Sequence, residues 1–269
     1  MIKVKDDPLV SILIPTFNRP ELFNMALMSA VNQTYKNIEI VICDDSTNYY
    51  TKKIVDKYLK KYKNIRYYFN NGPLGNFGLN NFNKCYELSR GEYINYLNDD
   101  DMFVKNKVLK MLKCFKSNNK ISLVTSHREL VDRSGDRLPH TLTYNKIKYV
   151  NRPINGRRAA KAIFLYGNFI GEPTTVLFKK KDVDKFGTIN NRQFCALIDI
   201  ATWIKLLLRG NFVYLSETLS CFRIHNGQNT NKPGIKKLMR SEWYELIQYA
   251  YKMKIIDKSI YSQLLLSYK

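Results

Sequence analysis

The first half of the chain alternates short apolar runs with segments whose apolar residues recur at helical spacing. The apolar runs predict five β-strands, at residues 10–14, 38–43, 65–69, 93–97 and 121–125. Helical spacing predicts helices between them, and Pro20 is suited to the first turn of the earliest one. Alternating strands and helices are typical of βαβ units, so we expect an α/β fold with a mostly parallel sheet flanked by helices.

The second half is less regular. Residues 134–156 lose all periodicity and predict a long surface loop or an irregular hairpin, of the kind that often covers a substrate. Further on, the pattern predicts helices at 157–166 and 198–208, strands at 174–178 and 212–215, and two tail helices at 236–251 and 257–266. We therefore expect a main domain over residues 1–232 and a C-terminal helical extension over 233–269.

The chain is long enough for a full core and strongly basic. Of its 269 residues 45% are hydrophobic, and 44 Lys and Arg against 23 Asp and Glu give a formal net charge of +21. Such a charge attracts nucleic acid, anionic lipid or a polyanionic acceptor, and does not choose among them. An AT-rich genome explains the excess of Lys, Asn, Ile and Tyr equally well.

Cysteine, histidine and hydropathy patterns narrow the setting. The five cysteines include no CxxC pair, and the three histidines are far apart, so we expect reduced structural cysteines and no zinc site. No run of about 18 uncharged apolar residues occurs. The charged N-terminus does not resemble a signal peptide, so we expect a cytoplasmic protein.

Polar residues follow three of the first four predicted strands directly, at 15–19, 44–46 and 98–101. In an open parallel sheet, ligands bind beyond the carboxyl ends of the strands. Asp99, Asp100 and Asp101 are adjacent carboxylates, which repel one another unless a cation offsets the charge, so they predict a site for Mn²⁺ or Mg²⁺. The alternative is an acidic turn that caps the helix beginning near Lys105.

The segments VSILIPTFNRPELFNMALMSAVNQTYKNIEIVICDDST and GEYINYLNDDD resemble the nucleotide-binding half of family 2 glycosyltransferases with a GT-A fold. The resemblance covers about residues 8–230 and implies a nucleotide-binding half at about 8–127 and an acceptor-binding half at about 128–232. It also implies roles for individual residues: Pro15, Thr16, Asn18, Asp45 and Asp99 at the nucleotide, Asp100, Asp101 and His225 at the metal, and Arg223 at the pyrophosphate.

A catalytic base is implied in the second half. The segment 195–203, CALIDIATW, resembles the family's Glu-Asp-x-x-x-Trp pattern, with Asp199 at the position of the base and Ile198 in place of the usual glutamate. Trp203 lies one helical turn later, and by the same resemblance Trp203 and Glu172 would contact the acceptor. The alternative for Asp199 is a carboxylate that merely stabilises a helix N-terminus.

The implied activity is inverting transfer of a sugar from a nucleotide diphosphate sugar, by default a UDP-sugar, to an acceptor hydroxyl. The acceptor would be a saccharide, glycolipid or polymer in surface polysaccharide or glycoconjugate synthesis. One alternative is a metal-dependent nucleotidyltransferase, but residues 15–20 lack the glycine of a phosphate-binding loop. The other is a non-catalytic basic binding module; acidic strand ends would repel nucleic acid, which we do not expect as a partner.

The basic tail suggests a further contact. Trp243, Tyr244 and Tyr249 lie among lysines, which favours peripheral binding to an anionic membrane surface at the inner leaflet. The alternatives are that the tail packs on the core, or that the C-terminal helices join two subunits of a homo-oligomer.

Overall fold

The computed structural model describes residues 7–139 and 151–266. The strands are β1 (Val10–Thr16), β2 (Ile38–Asp44), β3 (Ile65–Phe69), β4 (Tyr93–Tyr96), β5 (Met102–Phe103), β6 (Ile121–Val131), β7 (Pro153–Ile154), β8 (Leu177–Lys179), β9 (Thr188–Ile189), β10 (Arg192–Gln193) and β11 (Asn211–Arg223). The helices are α1 (Pro20–Val31), α2 (Tyr50–Leu59), α3 (Leu79–Leu88), α4 (Lys107–Ser117), α5 (Gly156–Tyr166), α6 (Ile198–Arg209), α7 (Ile235–Lys252) and α8 (Lys258–Leu266).

A central sheet organises the described residues. Eight of its nine strands follow the order β3-β2-β1-β4-β8-β6-β11-β5, and the ninth, β7, pairs with β11. The strands from β3 to β4 are parallel, β8 is antiparallel to both of its neighbours, and β6 and β11 are parallel to each other. The predicted α/β class, with a mostly parallel sheet flanked by helices, is confirmed. Because β1 lies between β2 and β4, the carboxyl ends of these three strands meet at one edge.

Two elements of the second half differ from the sequence-based prediction. The strand predicted at 174–178 is a 3₁₀ turn at Pro173–Thr175 followed by β8, because both threonine hydroxyls donate hydrogen bonds that hold the turn in place. The loop predicted at 134–156 is interrupted by β7, and α5 begins at its end; residues 140–150 of that loop lie outside the described residues. β11 also extends well beyond the predicted 212–215, because it pairs with β6 as far as Val131.

Hydrophobic residues on the two faces of the sheet form two buried layers. Alternation along β1 sends Leu13 to one layer and Ile12 to the other, as expected for a strand buried on both faces. Helices α1, α2 and α4 cover one face, while α3, α5, α6 and α7 cover the other. No helix among residues 7–139 and 151–266 is long and apolar enough to cross a membrane.

The C-terminal helix α7 is part of the second layer. Leu246, Ile247 and Ala250 are fully buried there, and the Trp243 ring lies 5.4 Å from the Phe164 ring. Helix α7 therefore packs on the core, which is one of the alternatives given for the tail. Trp243 and Tyr249 are partly buried by that packing, and Tyr244 is 39% exposed; contact of these rings with a membrane stays a prediction.

Candidate active site

A cavity of about 580 Å³ opens at the carboxyl edge of β1, β2 and β4, and its size suits a small-molecule ligand. One wall follows the sheet edge and includes Pro15, Thr16, Arg19, Asp45, Asp99 and Asp100. A second, helical wall comes from Glu172, from residues around the start of α6 (Cys195, Ile198 and Asp199) and from the first turns of α7 (Ile235 and Met239). The cavity therefore brings together the residues predicted for the nucleotide and for the base.

Asp99 is fixed at the end of β1. Its Oδ2 accepts hydrogen bonds from Thr16 Oγ1 at 2.9 Å and from the Phe17 amide at 3.1 Å, and its Oδ1 lies 3.0 Å from Arg19 Nη1. Burial, reinforced by the neighbouring Asp100 carboxylate, raises the pKa of Asp99 to about 6. The Asp99 carboxylate, which follows β4, therefore joins the end of β4 to the end of β1 on the sheet wall of the cavity.

Asp100 lines the cavity, His225 does not line it but contacts Asp100, and these two side chains fit a divalent cation. Asp100 Oδ2 lies 3.0 Å from His225 Nε2 and 2.9 Å from Arg19 Nη1. A carboxylate oxygen and an imidazole nitrogen are both common ligands of divalent metal ions. Within the described ranges no group of three or more His, Cys, Asp or Glu side chains is arranged to hold a metal. An ion here would take its other ligands from substrate phosphates and water, as Mg²⁺ commonly does.

Asp101 does not belong to this cation site. Its Oδ2 accepts hydrogen bonds from Thr174 Oγ1 at 2.5 Å and Asn98 Nδ2 at 3.2 Å, and its Oδ1 accepts one from the Arg223 amide at 3.0 Å. The side chain is buried away from the cavity, and burial raises its pKa. The prediction of Asp101 as a metal ligand is corrected: its carboxylate ties the end of β4 to β11 and to the turn before β8.

Arg223 is likewise committed to the fold. The side chain is fully buried, with Nε donating to the Asp100 carbonyl at 2.9 Å and Nη1 to the carbonyls of Asp132 and Arg133 at 2.8 Å each. The guanidinium does not reach the cavity, so the prediction that Arg223 binds pyrophosphate is corrected. Instead the basic residues Arg19 and Lys232 line the cavity, and sequence reasoning gave neither of them a role at the site. The position of Arg19 directly after β1 was the available signal.

The residues predicted at the nucleotide divide into two groups. Pro15, Thr16 and Asp45 line the cavity, and Asp45 accepts hydrogen bonds from Asn70 Nδ2 at 2.7 Å and the Leu74 amide at 3.1 Å. Burial raises the pKa of Asp45. Asn18 does not line the cavity.

Asn18 instead connects two loops at the sheet edge. Its backbone has φ of 51°, a conformation that Asn tolerates better than most residues, and its Oδ1 accepts hydrogen bonds from the Thr47 amide at 3.1 Å and Asn48 Nδ2 at 3.0 Å. The prediction that Asn18 binds the nucleotide directly is therefore corrected: its side chain joins the loop after β1 to the loop after β2.

Asp199 lies in the first turn of α6, on the helical wall of the cavity. Its Oδ1 accepts a hydrogen bond from the Ile200 amide at 2.8 Å, and its Oδ2 accepts one from Asn168 Nδ2 at 3.0 Å. Burial is the main cause that raises its pKa, to about 6. A carboxylate with a raised pKa is a stronger base and is still ionised at neutral pH.

Glu172 and Trp203 occupy different environments. Glu172 lines the cavity, its Oε1 lies 2.7 Å from Arg128 Nε, and burial raises its pKa. Trp203 is fully buried in the core, and its Nε1 donates a hydrogen bond to the Gly171 carbonyl at 2.8 Å. The prediction that Trp203 contacts the acceptor directly is corrected, because the buried indole instead supports the loop that carries Glu172.

The fold and the strand-end cluster define a glycosyltransferase of the GT-A class. Residues 11–187, well over half of the chain, match the model of the family described as Glycosyl transferase family 2, and the chain belongs to that family. The predicted resemblance is confirmed, and the nucleotidyltransferase and the binding module are set aside.

Two relatives illustrate the similarity in sequence. An uncharacterized glycosyltransferase of Haemophilus influenzae is 25% identical over 268 residues, covering 97% of this chain and 96% of the relative. The GalNAc(5)-diNAcBac-PP-undecaprenol beta-1,3-glucosyltransferase of Campylobacter jejuni is 26% identical over 230 residues, covering 81% of this chain and 65% of the relative.

Solved structures share the fold at lower identity. Residues 1–349 of S. aureus TarS, in complex with UDP-GlcNAc, superpose with a TM-score of 0.68 at 18% identity, covering 95% of this chain and 70% of that one. This chain covers only 42% of the longer TarS structure. The mannosyltransferase PcManGT from Pyrobaculum calidifontis, in complex with GDP-Man and Mn²⁺, gives a TM-score of 0.59 at 15% identity, covering 93% and 65%.

Proposed function

We propose that this protein transfers a sugar from a nucleoside diphosphate sugar, by default a UDP-sugar, to an acceptor hydroxyl with inversion at the anomeric carbon. The observation that carries this proposal is the pairing of two walls in one cavity. Asp99 and Asp100 lie on the sheet wall and Asp199 lies on the helical wall. The complexes of TarS with UDP-GlcNAc and of PcManGT with GDP-Man support a nucleotide sugar as the donor.

On the sheet wall, Pro15, Thr16, Asp45 and Asp99 bind the base and ribose. Asp100 and His225 would hold Mn²⁺ or Mg²⁺, and the Mn²⁺ in the PcManGT complex supports this choice. A bound divalent ion stabilises the negative charge of the departing nucleoside diphosphate. Arg19, whose Nη1 contacts both carboxylates, adds a positive charge at the same wall.

On the helical wall, Asp199 accepts the proton of the acceptor hydroxyl as the oxygen attacks the anomeric carbon. Its raised pKa, about 6, suits a general base at neutral pH, and the hydrogen bond from Asn168 orients the carboxylate. Glu172 lines the same region and contacts a sugar hydroxyl of the acceptor. A single displacement through an oxocarbenium-like transition state inverts the anomeric configuration.

The acceptor we propose is a saccharide, glycolipid or polymer of surface polysaccharide or glycoconjugate synthesis. The name of the C. jejuni relative supports a glycosylated carrier. The net charge of +21 supports peripheral binding at the anionic inner face of the membrane. Sedimentation with anionic and neutral vesicles at low and high salt tests this membrane binding. Binding that depends on neither lipid charge nor salt would contradict it. A concentration-dependent mass in solution tests self-association through the C-terminal helices.

The decisive experiment is a screen of nucleotide sugars with Mn²⁺, scored by released nucleoside diphosphate in the presence of candidate acceptors. We expect one donor to release diphosphate with Mn²⁺ and little with EDTA. The anomeric configuration of the product formed from that donor is then determined by NMR. A product with retained configuration would overturn the single displacement, and equal release in EDTA would overturn the role of the metal.

A further inference from the structure

Glu242 of α7 is a fully buried carboxylate that accepts hydrogen bonds from three consecutive backbone amides. Its Oε1 accepts from the Cys195 amide at 2.7 Å. Its Oε2 accepts from the amides of Ala196 at 2.9 Å and Leu197 at 2.8 Å. Bonds from backbone amides to an ionised carboxylate are among the stronger hydrogen bonds in proteins, so this contact fixes the backbone that donates them.

The three amides belong to the turn that leads into α6. A buried backbone amide needs an acceptor, and Leu197, which immediately precedes α6, has no oxygen in its side chain. Glu242 supplies the acceptors from α7, 45 to 47 residues further along the chain, and so holds the turn from which α6 starts.

The same turn forms part of the cavity wall. Cys195 and Ala196 line the cavity, and so do Ile198 and Asp199, the first two residues of α6. Ile235 and Met239, on the first turns of α7, line it as well. Helix α7 thus contributes apolar surface to the acceptor side of the cavity and, through Glu242, holds the backbone that carries Asp199.

We infer that Glu242 is a positioning residue that sets the place of Asp199 in the cavity by holding the turn before α6. The inference rests on the proposed role of Asp199 as base. Glu242 does not line the cavity, so it acts through the backbone and not by touching substrate. A displacement of about 1 Å at a reacting group can lower turnover by about 10²-fold.

The chain offers a matched control on the same helix. Glu245, almost one turn further on, forms an ion pair with Arg192, with Nε 2.7 Å from Oε2, and is partly exposed outside the cavity. Glu242→Gln keeps the size of the side chain but turns one acceptor oxygen into an NH₂ donor that faces an amide N–H. Glu242→Asp keeps the charge on a shorter side chain, and Glu245→Gln removes a neighbouring charge only.

The first measurement is hydrogen exchange of the amides at 195–201, which needs no activity. We expect faster exchange there in Glu242→Gln than in the wild type and in Glu245→Gln, at a temperature well below the unfolding midpoint of every variant. Unchanged exchange would overturn the inference even if sugar transfer is demonstrated. Faster exchange in a protein that transfers no sugar would place the failure in the proposed function instead.

The second measurement separates positioning from a general structural role. We expect Glu242→Gln to lower kcat by about 10²-fold with unchanged affinity for UDP and Mn²⁺, and Glu242→Asp to recover part of that loss. Glu245→Gln should match the wild type. Equal losses of kcat and of UDP affinity, or a normal kcat despite faster exchange, would overturn the role in positioning Asp199.

Discussion

Arg19 and Asp100 form an ion pair, with Nη1 2.9 Å from Oδ2, where the loops that follow β1 and β4 meet. His225 Nε2 lies 3.0 Å from the same oxygen, and Arg19 also contacts Asp99 at 3.0 Å. The guanidinium therefore compensates both carboxylates within the protein. A divalent ion that binds Asp100 has to compete with Arg19 for this oxygen.

Replacing Asp100 with Asn should abolish the dependence of UDP binding on a divalent ion. The amide removes the negative charge that attracts the cation, while the two phosphates still repel the neighbouring Asp99. Calorimetry with UDP in Mn²⁺ and in EDTA should give the same weak affinity for Asp100→Asn. Asp56→Asn, which breaks only an exposed pair with Lys52, is the control. Wild-type affinity in the Asp100 variant would exclude this metal site.

Replacing Arg19 with Gln should strengthen the binding of Mn²⁺ alone. Asp99 and Asp100 lose the guanidinium group that compensates their charge, so Mn²⁺ no longer competes with Arg19 for Asp100. We expect an increase of about five- to tenfold in affinity, because such pairs contribute roughly 1 kcal/mol. Titration calorimetry without nucleotide measures it. Weaker Mn²⁺ binding in Arg19→Gln would mean that Asp100 is not the ligand with which Arg19 competes.

Replacing Asp199 with Asn should lower turnover by about 10²- to 10⁴-fold and leave UDP affinity nearly unchanged. The amide keeps the shape and the contact with the Ile200 amide but cannot accept the acceptor proton. Steady-state kinetics and calorimetry on the same preparation separate the two effects. Asp184→Asn, which breaks an exposed contact with Lys205, serves as control. Turnover near that of the wild type would place the base elsewhere.

Sugar transfer should fall as the pH drops through about 6. Asp199 acts as base only when ionised, and burial raises its pKa from 3.8 to about 6, so the ionised fraction declines by about tenfold per pH unit below that value. The pH dependence of kcat/KM, with donor binding measured at each pH, tests this. An acidic limb near pH 4 would show that Asp199 is not the titrating base.

Lys107 should destabilise the protein increasingly as the pH falls from about 10 to about 7. Its ammonium group is fully buried, and burial lowers its pKa from 10.5 to about 7, so the folded state releases a proton that the unfolded state keeps. Relative to Lys107→Met, the wild type should lose roughly 2–4 kcal/mol of unfolding free energy across this range. Urea denaturation at both pH values measures the difference. A constant difference would contradict the shift.

The sequence by itself determined the class of fold, the family and the general position of the site. Strands buried on both faces read as continuous apolar runs, and polar residues directly after β1, β2 and β4 have to meet at one edge once those strands are parallel. Local order along the chain is enough for that conclusion. The strand ends drew attention to Thr16, Asp45, Asp99 and Asp100, while Asp199 was predicted from the family resemblance, and all five residues line the cavity.

Only the tertiary structure decided which polar side chains face the cavity. Asp100 and Asp101 are neighbours in sequence, yet successive side chains point in different directions, and Asp101 turns towards Thr174 and Arg223 while Asp100 faces Arg19. Burial of Arg223 and Trp203 depends on partners far along the chain, which no local pattern reveals. The contact of Glu242 with the turn before α6 has the same cause, because packing of α7 on the core brings the carboxylate to amides 45 to 47 residues away.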